Sequence, residues 1–110
     1  MKYFDSGFEV KSGCNHEFVK GKWDRETYWS DDSLILDDDI LNGLNVPGLF
    51  DSVVPAYAPY GPTEFTVEQW RAVREKAAET GGELEFLIQE LEGWLGPLPD
   101  AGIAFTILGV

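Results

Sequence analysis

The chain has 110 residues, 44% of them hydrophobic and 14% aromatic, which makes one domain with a true core and excludes a disordered tail. Its 20 acidic residues against eight basic ones leave a net charge of −12. That balance excludes a surface for nucleic-acid phosphates or anionic lipids and favours a cationic partner. The single cysteine, Cys14, excludes an internal disulfide and a thiolate zinc site.

From the N-terminus, Tyr3, Phe4, Phe8 and Val10 alternate with polar residues, and Phe18, Val19 and Trp23 follow a turn at 13–15. The period near two and the aromatic and β-branched content predict two short strands. The stretch has no apolar core of signal-peptide length, and no run in the chain is long enough for a membrane span, so a cytoplasmic protein is expected. A third strand is expected within 28–36, on the run Ser33, Leu34, Ile35, Leu36. Asp37, Asp38 and Asp39 then suit the start of a helix, where carboxylates accept from orphan N–H groups, so a short helix is placed near 39–44.

Residues 45–65 carry Pro47, Pro55, Pro59 and Pro62 and read as an irregular but ordered loop, with one helical turn or strand fragment laid on the core. Thr66 and Gln69 have capping-box spacing, and Phe65 and Trp70 that of a hydrophobic staple. Val67, Trp70, Val73 and Ala77 extend this start into a helix, which Gly81 and Gly82 stop through a left-handed cap. Leu84, Leu87, Ile88, Leu91, Trp94 and Leu95 recur at three and four, a second helix ended by Gly96 and Pro97. The nearly continuous apolarity of residues 103–108 suggests a strand covered on both faces. The fold class is α+β: a small antiparallel or mixed sheet, with an antiparallel helical hairpin packed on one face, in a single domain over 1–110. The edge beside 103–108 is expected to be free for a partner strand or a second copy, giving a monomer or a homodimer. Trp23, Trp70 and Trp94 are assigned to the core.

Acid is concentrated in one stretch. Residues 24–51 hold Asp24, Glu26, Asp31, Asp32, Asp37, Asp38, Asp39 and Asp51 against one base, Arg25. Such density costs folding stability through repulsion, and a basic partner would relieve it. Hard-cation binding by Asp31, Asp32, Asp37, Asp38 and Asp39 competes with helix capping and a solvated surface. The EF-hand pattern is absent and three adjacent aspartates cannot all face one ion, so no metal and no cofactor is expected. Cys14 and His16 share one face of a strand, yet no orienting group or oxyanion hole accompanies them. No glycine-rich phosphate loop is present. Arg71, Arg74, Glu75, Glu79, Glu83, Glu90 and Glu92 read as solvated helix faces. Trp29, Tyr57 and Tyr60, beside the acid, are of the types that anchor protein interfaces. The expected partner-binding set is Trp29, Asp31, Asp32, Asp37, Asp38, Asp39, Asp51, Tyr57 and Tyr60. No catalytic set emerges, which points to a binding protein rather than an enzyme.

Across 29–95, the acidic segment WSDDSLILDDDILNGL precedes a Tyr/Pro-rich loop. YGPTEFTVEQW then opens a helix, and a second amphipathic helix ends at Trp94 before a short C-terminal strand. In this organisation the chain resembles the small acidic immunity proteins of bacterial polymorphic and contact-dependent toxin systems. The resemblance implies a non-catalytic partner of a cognate toxin domain, often a nuclease, bound over its active site or an adjacent basic surface. It implies acid placed where phosphates would lie, with steering for fast capture and aromatic anchors for slow release. The alternative is a phage or mobile-element inhibitor that mimics nucleic acid, of the antirestriction or anti-nuclease type. That reading calls for carboxylates spread along an elongated face, whereas here they are clumped. A small carboxylate enzyme is a third reading, and it requires a deep pocket lined by two carboxylates and His16.

Overall fold

The computed structural model describes residues 3–6, 15–24, 33–54 and 61–109. These form, in chain order, β1 (Phe4–Ser6), β2 (Asn15–Lys20), β3 (Leu34–Asp37), α1 (Asp38–Gly43), α2 (Val46–Val53), β4 (Gly61–Thr66), α3 (Val67–Thr80), α4 (Gly82–Leu95) and β5 (Ile103–Gly109). The strands make one antiparallel sheet in the order β1-β3-β2-β5-β4. The α+β class and the antiparallel α3–α4 hairpin agree with the sequence pattern.

Register explains which residues face the helices. Phe4 pairs with Leu36, Phe18 with Leu34 and Ile107, and Phe65 with Phe105, so these side chains share one face. They join Leu41, Val46, Phe50, Trp70, Val73, Leu87 and Leu91 in one buried cluster. Phe105 is its hub. Phe65 stacks on that ring at 4.8 Å, and Trp70 meets it edge-on at 5.5 Å. Each such ring adds about 1.5–3 kcal/mol by leaving water. Ile35, Glu17, Thr106 and Leu108 occupy the opposite face and are buried too, so the sheet centre is covered on both sides, as the apolarity of β5 suggests.

Three expectations change. The stretch read as irregular contains α2 and β4. Two of its prolines sit where ordered elements tolerate them: Pro47 in the first turn of α2, where no N–H is needed, and Pro62 in an edge strand, while Pro55 and Pro59 lie outside the described residues. Val46, Leu49 and Phe50 supply the buried stripe of α2, a helical period too short to stand out among the prolines. Next, β5 is not an edge: it lies between β2 and β4, and among the described residues the edges fall to three-residue β1 and proline-bearing β4. Both are poor templates for a further strand. Finally, Trp23 is half-buried rather than core. Trp94 only borders the core, with the Lys20 ammonium 5.4 Å from its ring centre, whereas Trp70 is buried.

Helix ends follow the sequence closely. Thr66 Oγ1 accepts from the Gln69 N–H at 3.1 Å, while the Gln69 side chain accepts from the Thr66 N–H at 2.9 Å. This reciprocal box ends β4 and starts α3 within one residue. Gly81 closes α3 and opens α4 with φ +70° and ψ −169°. That conformation is not the left-handed helical cap expected, but it is equally reserved for glycine.

Candidate functional site

The acidic junction is built where β3 runs directly into α1. Asp37 is extended and its Oδ1 accepts from the Asp39 N–H at 2.8 Å, an N-cap bond. Asp38 and Asp39 occupy the first turn, where negative charge complements the helix dipole. Asp38 has two further partners. Its Oδ1 lies 3.1 Å from His16 Nε2, and its Oδ2 accepts from Asn42 Nδ2 at 3.1 Å. A carboxylate only accepts, so His16 Nε2 carries the hydrogen. His16 is 3% exposed, and among the described residues its Nδ1 has no hydrogen-bond partner. The imidazole thus fastens β2 to the start of α1 from inside, on the helix-bearing face of the sheet.

The junction therefore divides. Asp37 and Asp38 hold local structure. Asp39 is exposed and points away from any such duty, as is Asp51 on α2. None of the four forms an ion pair with a lysine or arginine among the described residues, and Asp51 makes no bond to the other three. Of the expected partner-binding set, Trp29, Asp31, Asp32, Tyr57 and Tyr60 lie outside the described residues, as does Cys14. Among the described residues no group of three or more His, Cys, Asp or Glu converges as a metal site. No helix there is long and apolar enough to cross a membrane.

A second acidic region lies on the helical hairpin. α4 holds Glu83, Glu85, Glu90 and Glu92 and no lysine or arginine. Glu92 pairs with Arg74 of α3. Glu90, expected to be merely solvated, accepts from the Tyr3 N–H at 3.1 Å and 3.2 Å through its two oxygens, and from the Phe4 N–H at 3.4 Å. A carboxylate on α4 thereby anchors edge strand β1. Nothing in the local sequence marks Glu90 for this, because the partner amides lie 87 and 86 residues away. A groove of about 460 Å³ opens between α3 and α4, lined in part by Arg71, Arg74, Glu75, Glu85, Ile88 and Gln89. Its charges are mixed and it is open to solvent, so it concentrates neither sign strongly.

Outside these anchoring contacts, Asp39 and Asp51 are exposed carboxylates. Compared with protein families, with curated proteins and with solved structures, the chain matches none of them.

Proposed function

We propose that this chain is a non-catalytic binding protein that neutralises a cognate bacterial toxin domain, a nuclease being the best fit, by covering its active site or an adjacent basic surface. The observation that carries the reading is the acid left over after internal needs are met. Asp39 and Asp51 are exposed and have no lysine or arginine partner among the described residues, in a chain of net charge −12. Such surplus like charge costs an isolated fold some stability through self-repulsion, whereas a basic partner converts it into attraction and a fast encounter. A nuclease must present a basic surface to phosphates, and that surface is complementary to this one. The pair of buried His16 with half-exposed Asp38 contributes by fixing the β3–α1 junction, so that the outward carboxylates are held in place before binding.

The test is co-purification of the tagged chain with the protein encoded immediately upstream, at low and at high salt. A complex that weakens as salt rises, together with protection of cells from that protein's toxicity, is the expected result. Asp39→Asn with Asp51→Asn should slow association several-fold, about threefold to tenfold, with the fold intact. A folded bait that captures nothing and protects nothing would remove the reading.

A further inference from the structure

The acidic junction contains a chemically labile peptide unit. The chain has three asparagines, Asn15, Asn42 and Asn45, and only Asn42 is followed by a glycine, Gly43. Asparagine is among the least durable residues, because the next backbone nitrogen can attack its side-chain carbonyl carbon. A side chain on the attacking residue hinders that approach, and glycine has none. Asn42 and Gly43 are both exposed, and a Cβ added at Gly43 would meet nothing within 4 Å, so the space beside the attacking nitrogen is open. They are the last two residues of α1. A helix ordinarily protects an asparagine by holding the next nitrogen in a hydrogen bond and away from the side-chain carbon. α1 supplies little of that protection. It has six residues, no basic residue in its last turn to complement the dipole, and a glycine at its end, all of which favour fraying. Two bonds restrain Asn42: Nδ2 donates to Asp38 Oδ2 at 3.1 Å, and the carbonyl accepts from the Asn45 N–H at 3.1 Å. The first is exposed, and such a pair four residues apart stabilises a helix only weakly.

We propose that Asn42–Gly43 is a site of spontaneous covalent modification, where Asn42 is deamidated to aspartate and isoaspartate and the β3–α1 junction is loosened as a result. The Gly43 nitrogen gives its proton to hydroxide and attacks Asn42 Cγ, forming a new N–Cγ bond. The Cγ–Nδ2 bond breaks, and Nδ2 takes up a proton and leaves as ammonia. Water then opens the five-membered imide. Opening at Cγ gives aspartate. Opening at the backbone carbonyl gives isoaspartate, whose main chain runs through the side-chain carbons. Both products disturb the junction. The N–H that Asp38 Oδ2 accepts is lost, and a carboxylate four residues from Asp38 repels it. The new charge also lies at the C-terminal end of α1, where the helix dipole disfavours it. Isoaspartate lengthens the main chain by a carbon, which shifts the bonds that close α1, from the Leu44 N–H to Ile40 and from the Asn45 N–H to Asn42. Asp38 is the acceptor for buried His16, so the disturbance reaches the contact that fastens β2 to α1. The site stands whether or not the chain binds a toxin.

The full chain is aged at body temperature and mildly alkaline pH, where the attacking nitrogen loses its proton more readily, and is sampled over days. Peptide masses locate each lost amide, and an isoaspartate-specific methyltransferase labels the rearranged product. Conversion at Asn42 should be at least about tenfold faster than at Asn45, whose successor Val46 is β-branched. Gly43→Ala is the decisive variant. The open space admits its methyl group and helix propensity favours it, so the fold should hold while conversion at Asn42 slows about tenfold. The aged parent should melt about 2–8 °C lower, with faster hydrogen exchange over residues 38–45, and Gly43→Ala aged beside it should keep both properties. Asn42→Asp supplies the aspartate product directly and should show part of the same loss. Asn42 intact while Asn15 or Asn45 converts, or equal conversion at Asn42 in Gly43→Ala, would overturn the site. Conversion at Asn42 with melting and exchange unchanged would overturn the loosening.

Discussion

The β3–α1 junction and α4 are both acidic, and both put part of their acid to structural use, but in different ways. At the junction two of three consecutive aspartates are consumed locally: Asp37 caps the helix and Asp38 holds a buried histidine. On α4 two carboxylates are also consumed, Glu90 by the amides of β1 and Glu92 by Arg74. The difference teaches that acid density in a sequence does not by itself tell carboxylates with structural duties from outward ones. A dense run such as Asp37, Asp38 and Asp39 can be mostly structural.

The largest expected effect separates structural from outward acid at the junction itself. Asp38→Ala leaves the His16 Nε2–H buried without an acceptor, which should cost about 1–3 kcal/mol of stability. Urea unfolding measures it. Asp38→Asn keeps an acceptor oxygen and should recover part of the loss. Asp39→Ala, one residue along, should lie within about 0.5 kcal/mol of the parent, as exposed substitutions do. Equal losses at 38 and 39 would erase the division drawn above.

Glu90→Ala tests the same division on α4. It removes the acceptor for two backbone N–H groups at the start of β1, and should cost about 1–2 kcal/mol. Hydrogen exchange should locate the damage in β1, with α4 itself little changed, because the helix does not depend on that carboxylate.

How much of this was legible beforehand depends on how local each signal was. The capping box at Thr66 and the apolar stripe of α4 are written within a few residues, and both appear as read. The short helix after Asp37 was legible from the same local chemistry, displaced by one residue. What escaped was either masked by a stronger local cue or fixed at long range. The prolines hid α2 and β4, because a proline disrupts a helix or sheet interior but not a first turn or an edge. The central place of β5 depends on pairing with β2, more than 80 residues earlier, which no window of sequence contains. Asp38 was named as a binding residue on its type alone. Its histidine partner lies 22 residues back, on another strand, and only the fold reveals that the carboxylate is already engaged.

Of the three substitutions expected to cost stability, Asp37→Ala costs the least and makes the sharpest distinction at the junction. As the N-cap it satisfies a single amide, so its removal should cost about 1 kcal/mol, with Asp37→Asn or Asp37→Ser close to neutral. The reason for measuring it is the charge it carries. If capping is its whole role, Asn and Ser should also leave partner capture rates unchanged. If the Asp37 carboxylate contributes to steering, Asn will preserve stability and still slow association, most clearly at low salt. Stability and on-rate read on the same Asp37→Asn variant thus separate the two uses of one side chain, which neither its sequence context nor its hydrogen bond can do alone.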